Sequence, residues 1–276
     1  MFKLINTGYF YADGGAMFGA TPKVMWNNSY PVNERNLCIL AMHAGVIKTD
    51  DGRIIIVDPG VGQDQLKDTP AIFYRFYDTV DICDSLALYG ISPEDVSDVI
   101  FTHLHFDHCG AAVRKKPDST PELIFPNAFH WVSRAQYENE RKPHPLEADS
   151  FLPKNTDFIE KAGLLRIIEA TTEPHESLRM QLYDGHTTGQ IAAYIKCGSS
   201  SIVFPGDIIP LAPHIVKGRI SAYDLCPTLS YDGKVEILEK AASCDDILVF
   251  YHDAYTPCAT IKKVRSSFKI NKKVDL

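Results

Sequence analysis

The chain has 276 residues, of which 45% are hydrophobic and 23% charged, and its formal net charge is −7. This balance is that of a globular protein large enough to form a substantial core. The negative charge argues against a general affinity for nucleic acid or anionic membranes, because no overall positive field attracts phosphate groups. No segment approaches the roughly 20 apolar residues that a membrane-spanning helix needs, and no signal peptide is expected.

The seven cysteines are odd in number, scattered, and contain no CxxC pair. We therefore expect reduced, mostly buried thiols in a cytoplasmic protein. The sequence has no internal repeat and no low-complexity linker. We expect one domain that spans residues 1–276.

The first half of the chain contains a predicted β-hairpin. Residues 36–48 and 53–57 are rich in β-branched and apolar side chains, and the turn sequence TDDG separates them. Such runs on either side of a turn are typical of paired strands. The following DPGVG at 58–62 ends the second strand, because proline and glycine interrupt pairing. Residues 80–90 are predicted to form a helix.

A helix start and a short strand come next. Ser92 and Pro93 suit the N-cap and the first position of a helix. Residues 98–102, DVIFT, predict a short buried strand. In layered α/β folds, ligands gather in the loops at strand ends, so the residues that follow this strand are candidates for a site.

The second half alternates strands and helices in the same way. The predicted strands are 128–133, 164–169, 178–183, 190–197, 201–205 and 246–251. Residues 134–162 predict a helical region that prolines interrupt, and 233–243 predict an amphipathic helix. The basic tail at 261–273 predicts an edge strand whose outward lysines discourage aggregation. The pattern favours an α/β (α+β) fold, with two mixed β-sheets packed together and helices outside.

Residues 101–111 read FTHLHFDHCGA and place three histidines and an aspartate within six positions. His103 and His105 point to the same side if the backbone is extended, so their imidazoles could bind one metal ion. Asp107 and His108 follow in a turn and could aim at a neighbouring point. This loop could therefore supply ligands to two metal ions, although neither site would be complete without further ligands.

The missing ligands have candidates at the ends of other predicted strands. His186 lies in a Gly-flanked loop, Asp207 follows an apolar run and a Pro-Gly break, and His252 ends another apolar run. Taken alone, either histidine would more often be structural, and the aspartate could be a turn residue. Four pieces of sequence, each at the end of an apolar run, favour a shared metal site.

This pattern, HxHxDH followed by distant His, Asp and His, resembles the metallo-β-lactamase superfamily. VDPG, which contains Asp58, is similar to an early strand-end motif of that family. The resemblance implies an αββα four-layer sandwich, in agreement with the two-sheet pattern. It also implies a role for each candidate ligand: His103, His105 and His186 for a first ion, Asp107, His108 and His252 for a second, and Asp207 as the bridge.

The resemblance further implies a dinuclear hydrolase in which a metal-bridging hydroxide attacks an ester-like carbonyl. Asp107 is the candidate for steering the proton of the attacking water and passing it to the leaving oxygen. Since no cysteine occupies a ligand position, zinc is the first expectation for the two divalent ions, with manganese or iron as alternatives.

Two stretches, YADGGAMFGATPKVMWNNSYP and PGDIIPLAPHI, resemble the branch that contains N-acyl-homoserine lactonases and methyl-parathion-type hydrolases. The resemblance implies quorum-quenching lactonase activity on a small-molecule ester or lactone. The first stretch mixes glycines with apolar side chains. It predicts a flexible loop over the cleft in which Phe18, Met25 and Trp26 contact an acyl chain.

The chain departs from this branch at one position. Lactonases carry a tyrosine three residues after the bridging aspartate, and here that position is Pro210. His214 is a candidate to replace it as a donor to the substrate carbonyl. An ordinary surface histidine is the competing interpretation.

Several alternatives remain open. A phosphotriester hydrolase or a glyoxalase-II-like thioester hydrolase would use the same ligands, because fold does not determine substrate. A di-iron redox protein or a binding module with a degenerate site belongs to a different class. A nuclease is disfavoured, because this acidic chain shows no basic, aromatic-laced segment. We expect neither a nucleic-acid partner nor a membrane partner, and a homodimer is left open.

Overall fold

The computed structural model describes residues 1–67 and 74–274. The strands are β1 (Phe2–Asp13), β2 (Leu37–Lys48), β3 (Ile54–Val57), β4 (Asp98–Ile100), β5 (Val113–Lys115), β6 (Pro121–Leu123), β7 (Phe129–Ser133), β8 (Leu165–Ile168), β9 (Thr172–His175), β10 (Leu178–Tyr183), β11 (Gln190–Cys197), β12 (Ser200–Phe204), β13 (Ile247–Val249), β14 (Cys258–Val264) and β15 (Ser267–Lys273).

The α-helices are α1 (Gly14–Phe18), α2 (Lys23–Trp26), α3 (Ile82–Ala87), α4 (Phe106–Cys109), α5 (Arg134–Arg141), α6 (Pro153–Lys161) and α7 (Pro227–Cys244). Short 3-10 turns lie at Gln65–Lys67, Pro93–Asp95, Gly110–Ala112, Ala148–Ser150, Gly206–Ile208 and Ala212–Ile215. Among the residues that the structure describes, no helix is both long enough and apolar enough to cross a membrane.

The strands form two mixed sheets. The first has the order β1-β2-β3-β4-β7-β8, and the second has the order β15-β14-β13-β12-β11-β10-β9. In the first sheet, β1, β2 and β3 pair antiparallel, whereas β3, β4, β7 and β8 pair parallel. In the second sheet, β12 and β13 are a parallel pair between antiparallel neighbours.

The two sheets pack face to face through a shared apolar layer. Ile55 and Ile100 of the first sheet belong to the same buried cluster as Ile191 and Val249 of the second. Helices α3 and α6 bury apolar side chains in a cluster with the outer side of the first sheet. Helix α7 does the same with the second sheet. These are four layers, helix–sheet–sheet–helix, and the predicted fold class is confirmed.

Local sequence signals explain where several helices begin and end. Ser133 caps α5 by accepting a hydrogen bond from the backbone N–H of Gln136 at 3.0 Å. Asp81 caps α3 through the N–H of Cys83 at 2.8 Å. Proline occupies the first position of α6 and of α7, where its missing N–H costs nothing. Asp245 ends α7 in the left-handed conformation, with φ of 55°.

The structure contains one strand that the sequence analysis did not predict, and it corrects two predictions. The unpredicted strand is β1, whose alternation was hard to detect because the register shifts between Asn6 and Tyr9. The basic tail is a hairpin of β14 and β15, of which only β15 lies at the edge. The helix predicted at Ser92 is only a 3-10 turn.

Candidate metal centre

Loops at one end of the two sheets bring together the residues that the sequence pattern indicated. Strand β4 leads into residues 103–108, β12 into Asp207, and β13 into His252, while His186 lies between β10 and β11. Because β10, β12 and β13 run in the same direction, their carboxyl ends share one edge of the second sheet. The parallel pairing in each sheet thus places distant parts of the chain side by side.

Ligand-type atoms of the seven predicted residues fall into three groups. Within each group, all the ligand atoms lie within 4.8 Å of one another. The groups are His103, His105 and His186; His103, His108 and Asp207; and Asp107, His108 and His252. The first and third groups are the triads that the family resemblance implies for the two ions.

Asp207 lies between these two triads. Its Oδ2 is 3.5 Å from Nε2 of His186, in the first triad, and 3.3 Å from Nε2 of His252, in the third. Its Oδ1 is 3.5 Å from Nε2 of His108. A single carboxylate therefore faces both triads, as a bridging ligand must.

Three of the histidines are oriented by carboxylates outside the centre. His108 donates from Nδ1 to Asp58 at 2.9 Å, and His186 donates from Nδ1 to Asp224 at 3.1 Å. His105 uses its other nitrogen, Nε2, and donates to Glu147 at 3.2 Å. The second nitrogen of each ring then points to the centre: Nδ1 of His105 and Nε2 of His186 lie 3.2 Å apart, and Nε2 of His108 lies 3.2 Å from Nε2 of His252.

The other two histidines are held by the backbone and by a hydroxyl. Nδ1 of His252 donates to the carbonyl of Ala41 at 2.9 Å. Nδ1 of His103 lies 3.0 Å from Oγ1 of Thr102, which itself donates to Asp58 at 2.6 Å. Metal-binding histidines commonly use one ring nitrogen in this way, which fixes the tautomer and the ring orientation.

The donor set fits a pair of divalent metal ions. Nε2 of His103 and Oδ1 of Asp207 are buried and have no hydrogen-bond partner within the described ranges. Leaving such an atom unpaired costs about 1–3 kcal/mol, so both are aimed at something other than protein. Imidazole nitrogens and carboxylate oxygens, without thiolate, suit zinc and neighbouring divalent metals.

The electrostatics favour a cation at this point. Burial opposes ionisation of Asp207, but His252, His108 and His186 outweigh it and hold its pKa well below the usual value. Burial likewise opposes a charge on His252, but Asp207 and Asp107 raise its pKa to about 9. Burial lowers the pKa of His103 well below normal and also lowers that of His105, which leaves their nitrogen lone pairs available.

A cavity opens onto this centre. Of the ligand-type residues, the cavity lining includes His105, Asp107, His186, Asp207 and His252. Its apolar wall comes from Phe10, Ala12, Met17, Leu40 and Phe106, and its polar wall includes Tyr74 and Tyr223. Pro210, at the position of the tyrosine in the lactonase branch, also lines it. The ligand-type residues thus line a pocket that has one apolar side.

The residues predicted to contact an acyl chain are placed elsewhere. Phe18 and Trp26 are 0% and 1% exposed, and their rings stack at 4.5 Å beneath the cavity wall. Met25 is 64% exposed on the outer surface. His214 is buried, stacks on Phe18, and lies 2.8 Å through Nε2 from the carbonyl of Met17.

None of these four residues lines the cavity, and their contact with a substrate stays a prediction. The apolar side chains of Phe18 and Trp26, which suggested a substrate contact, pack into a buried cluster. His214 is also not the surface histidine of the competing interpretation. It supports the segment that carries Met17, and the side chain of Met17 does reach the cavity.

Three residues that the sequence reasoning missed take part in the site. Glu147 lies in the segment between α5 and α6 and lines the cavity. Asp224 and Tyr223 lie just before α7, in a stretch without periodic pattern. Glu147 and Asp224 could have been marked only as carboxylates in loops, and many acidic residues of this chain fit that description. No sequence signal marks Tyr223.

Comparisons with known proteins agree with this geometry. The sequence profile of the family described as "Metallo-beta-lactamase superfamily" matches residues 42–252. That range covers most of the chain and contains all seven ligand-type residues. The chain belongs to the metallo-beta-lactamase superfamily, as its sequence motifs predicted.

Two curated relatives carry lactonase names. An N-acyl homoserine lactonase AttM of Agrobacterium fabrum is 36% identical over 81 residues, which are 29% of this chain and 26% of that protein. AttM of Azorhizobium caulinodans is 38% identical over 68 residues, or 25% of this chain and 22% of that protein. The chain thus matches about a quarter of the length of these relatives.

Solved structures match the whole fold. A probable metal-dependent hydrolase from Staphylococcus aureus has a TM-score of 0.84 and 27% identity, covering 100% of this chain and 98% of that one. AidC, described as a dizinc quorum-quenching lactonase in complex with a product, has a TM-score of 0.76 and 18% identity, with the same coverage. At that identity, the second likeness concerns the fold alone.

Proposed function

We propose that this chain is a dinuclear metal-dependent hydrolase that opens a lactone of the N-acyl-homoserine type. The observation that carries the proposal is the position of Asp207, whose two oxygens face both triads of ligand-type residues. The first ion would be held by His103, His105 and His186. The second would be held by Asp107, His108 and His252.

The metal ions, when bound, would polarise the substrate carbonyl and make water a nucleophile at neutral pH, and zinc is the first choice. The chain itself supplies binding and proton transfer. Asp107 has a 15% exposed side chain at the cavity, with Oδ2 3.6 Å from Nε2 of His252. Its carboxylate would orient the water, accept a proton from it, and deliver that proton to the leaving alkoxide oxygen.

The shape of the cavity supports a small ester with an apolar substituent. Phe10, Met17 and Leu40 form an apolar wall next to the ligand-type residues. Burial of an alkyl chain against such a wall stabilises the complex by about 25 cal/mol for each Å² of apolar surface that is removed from water. The lactonase names of the AttM relatives point to the same substrate class.

The test is a hydrolase panel on metal-replete protein, with lactones, thioesters, phosphotriesters and a β-lactam as substrates. We expect lactones to give the highest kcat/KM. His105→Ala and Asp207→Ala should each lose about three orders of magnitude or more, since the activating metals depend on these ligands. The matched control is Asp232→Ala, which removes an exposed carboxylate of α7 and should keep full activity.

Metal analysis separates the remaining alternatives. Two zinc ions per chain together with lactone hydrolysis support the proposal. Iron with a redox-active spectrum and no hydrolysis would favour the di-iron redox protein. Activity that survives both ligand substitutions would mean that the chemistry lies elsewhere.

A further inference from the structure

Two tyrosines from separate segments lie on the wall of the cavity. Tyr74 precedes β4 in the chain, and its ring packs edge-on against Phe10, with ring centroids 5.8 Å apart, and near Phe106 at 6.2 Å. Tyr223 lies in the segment that leads into α7 and is 41% exposed. Both side chains line the cavity that opens onto the ligand-type residues.

The backbone around Tyr223 is fixed by short contacts. Oγ of Ser221 accepts a hydrogen bond from the N–H of Tyr223 at 3.1 Å and donates to the carbonyl of Ala16 at 3.2 Å. The N–H of Ala222 donates to the same carbonyl at 2.8 Å. The Tyr223 side chain is thus presented by an anchored segment, whereas the ring of Tyr74 is held by aromatic packing.

Each phenol hydroxyl can donate one hydrogen bond. Within residues 1–67 and 74–274, neither hydroxyl has a hydrogen bond to another protein group. Burial and the nearby charge of Asp107 raise the pKa of Tyr74. Burial and the proximity of Tyr74 raise the pKa of Tyr223. Both groups therefore keep their protons at neutral pH, and both side chains line the same cavity.

The cavity lining also indicates what kind of acceptor these donors suit. Among the described residues that line the cavity, there is no lysine or arginine, whereas Asp107 faces Tyr74. An anionic acceptor next to Tyr74 would be repelled by this carboxylate, and no lysine or arginine of the lining would offset the repulsion. A neutral carbonyl oxygen has two lone pairs and can accept from both phenols at once.

We propose that Tyr74 and Tyr223 determine substrate specificity by donating hydrogen bonds to a second, non-reacting carbonyl of the substrate, such as the amide carbonyl of an N-acyl lactone. This inference rests on the proposed lactonase function. The ester carbonyl occupies the ligand-type centre, and the amide carbonyl reaches the tyrosine pair. A lactone without the amide makes neither of these hydrogen bonds, which lowers its rate relative to the amide-bearing substrate.

The experiment compares two substrates in four proteins. The substrates are N-hexanoyl-homoserine lactone and an alkyl γ-lactone of similar length that lacks the amide. The proteins are the wild type, Tyr74→Phe, Tyr223→Phe and the control Tyr231→Phe, which changes an exposed tyrosine of α7 that lies outside the cavity lining. We expect each cavity variant to lose about tenfold in kcat/KM on the amide-bearing lactone and less than about twofold on the plain lactone. The control should change neither.

A variant that folds poorly would lose activity on both substrates equally, so the ratio of the two rates is the decisive quantity. Binding of the open-chain N-hexanoyl-homoserine product, measured by calorimetry, gives a second readout, and its Kd should rise by a similar factor. A ratio of the two rates and a product Kd that both stay at the wild-type values would overturn the tyrosine assignment while leaving lactonase activity intact. A wild-type protein that hydrolyses neither lactone would overturn the assignment and the proposed function together.

Discussion

The carboxylate of Asp224 accepts a hydrogen bond from Nδ1 of His186 at 3.1 Å, and both side chains are buried. Asp224 lies 38 residues from His186 along the chain and belongs to the segment that precedes α7. Asp58 holds His108 in the same way, and Glu147 holds His105. The three histidines are therefore aligned by carboxylates from three different loops.

Removal of one of these carboxylates should weaken metal binding without removing a ligand. For Asp224→Asn, we expect the affinity for zinc to fall about 10- to 100-fold, because the ring of His186 loses the partner that fixes its tautomer and orientation. Competition with a chromogenic chelator measures this affinity. Asp232→Asn, on the exposed side of α7, is the control. Unchanged zinc affinity in the Asp224 variant would show that His186 is oriented by other contacts.

Gly110 should be essential for the position of the ligand loop. A Cβ atom at this position would lie 2.1 Å from the carbonyl oxygen of Val61, which is backbone and cannot rotate away. Gly110 directly follows α4, which carries Asp107 and His108. Gly110→Ala should therefore lower the free energy of unfolding by about 1–3 kcal/mol and reduce bound metal.

The matched control for this change is Gly218→Ala. A Cβ atom at Gly218 would meet no atom within 4 Å, so the substitution should change stability by less than about 0.5 kcal/mol. Thermal unfolding and metal content of both variants test the comparison. Similar stability of the two proteins would mean that the backbone at Val61 moves to accommodate the added Cβ atom at little energetic cost.

Much of this site was predictable because strand ends are predictable. His103, His186, Asp207 and His252 each follow an apolar run, and parallel strands bring such positions to one edge. The contacts that orient the ligands were not predictable. Glu147 and Asp224 lie in loops without periodic pattern, and which loop meets which histidine depends on tertiary packing.

The burial of the predicted acyl-contact residues Phe18 and Trp26 was not predictable for a related reason. An apolar side chain in a glycine-rich segment can face a cavity or the protein core, and composition does not separate the two. Phe18 and Trp26 are stacked in the core, while Met17, one position earlier than Phe18, reaches the cavity.

Met17 and Met25 provide a direct test of this distinction. Met17 is 3% exposed and lines the cavity, whereas Met25 is 64% exposed and does not. Met17→Ala should raise KM for long-chain acyl lactones more than for short-chain ones, and should cost about 2–5 kcal/mol of stability. Met25→Ala should change neither quantity. The measurement is KM as a function of acyl-chain length for both variants and the wild type. If KM of Met17→Ala depends on chain length in the same way as that of the wild type, the acyl chain does not contact Met17.

Glu140 should make stability depend on pH. Its side chain on α5 is 0% exposed; Oγ1 of Thr156 donates to it at 2.8 Å, and Nη1 of Arg141 lies 3.4 Å away. Burial outweighs both partners and raises the pKa of Glu140 from 4.5 to about 7. The folded protein therefore binds more protons than the unfolded chain between these two values.

The contribution of Glu140 to the free energy of unfolding is fully present below pH 4.5, its pKa in the unfolded chain. It is lost as the pH rises through about 7, its pKa in the folded protein. The loss between pH 5 and pH 8 should be about 2–3 kcal/mol, since one pKa unit corresponds to about 1.4 kcal/mol. Glu140→Gln removes the titration but keeps a side chain of similar size. Urea unfolding of both proteins at pH 5 and pH 8 isolates the effect, because every other group titrates in both. The Glu140→Gln variant should be more stable than the wild type at pH 8 and lose this advantage at pH 5. The same difference in the free energy of unfolding between the two proteins at both pH values would mean that Glu140 ionises normally inside the fold.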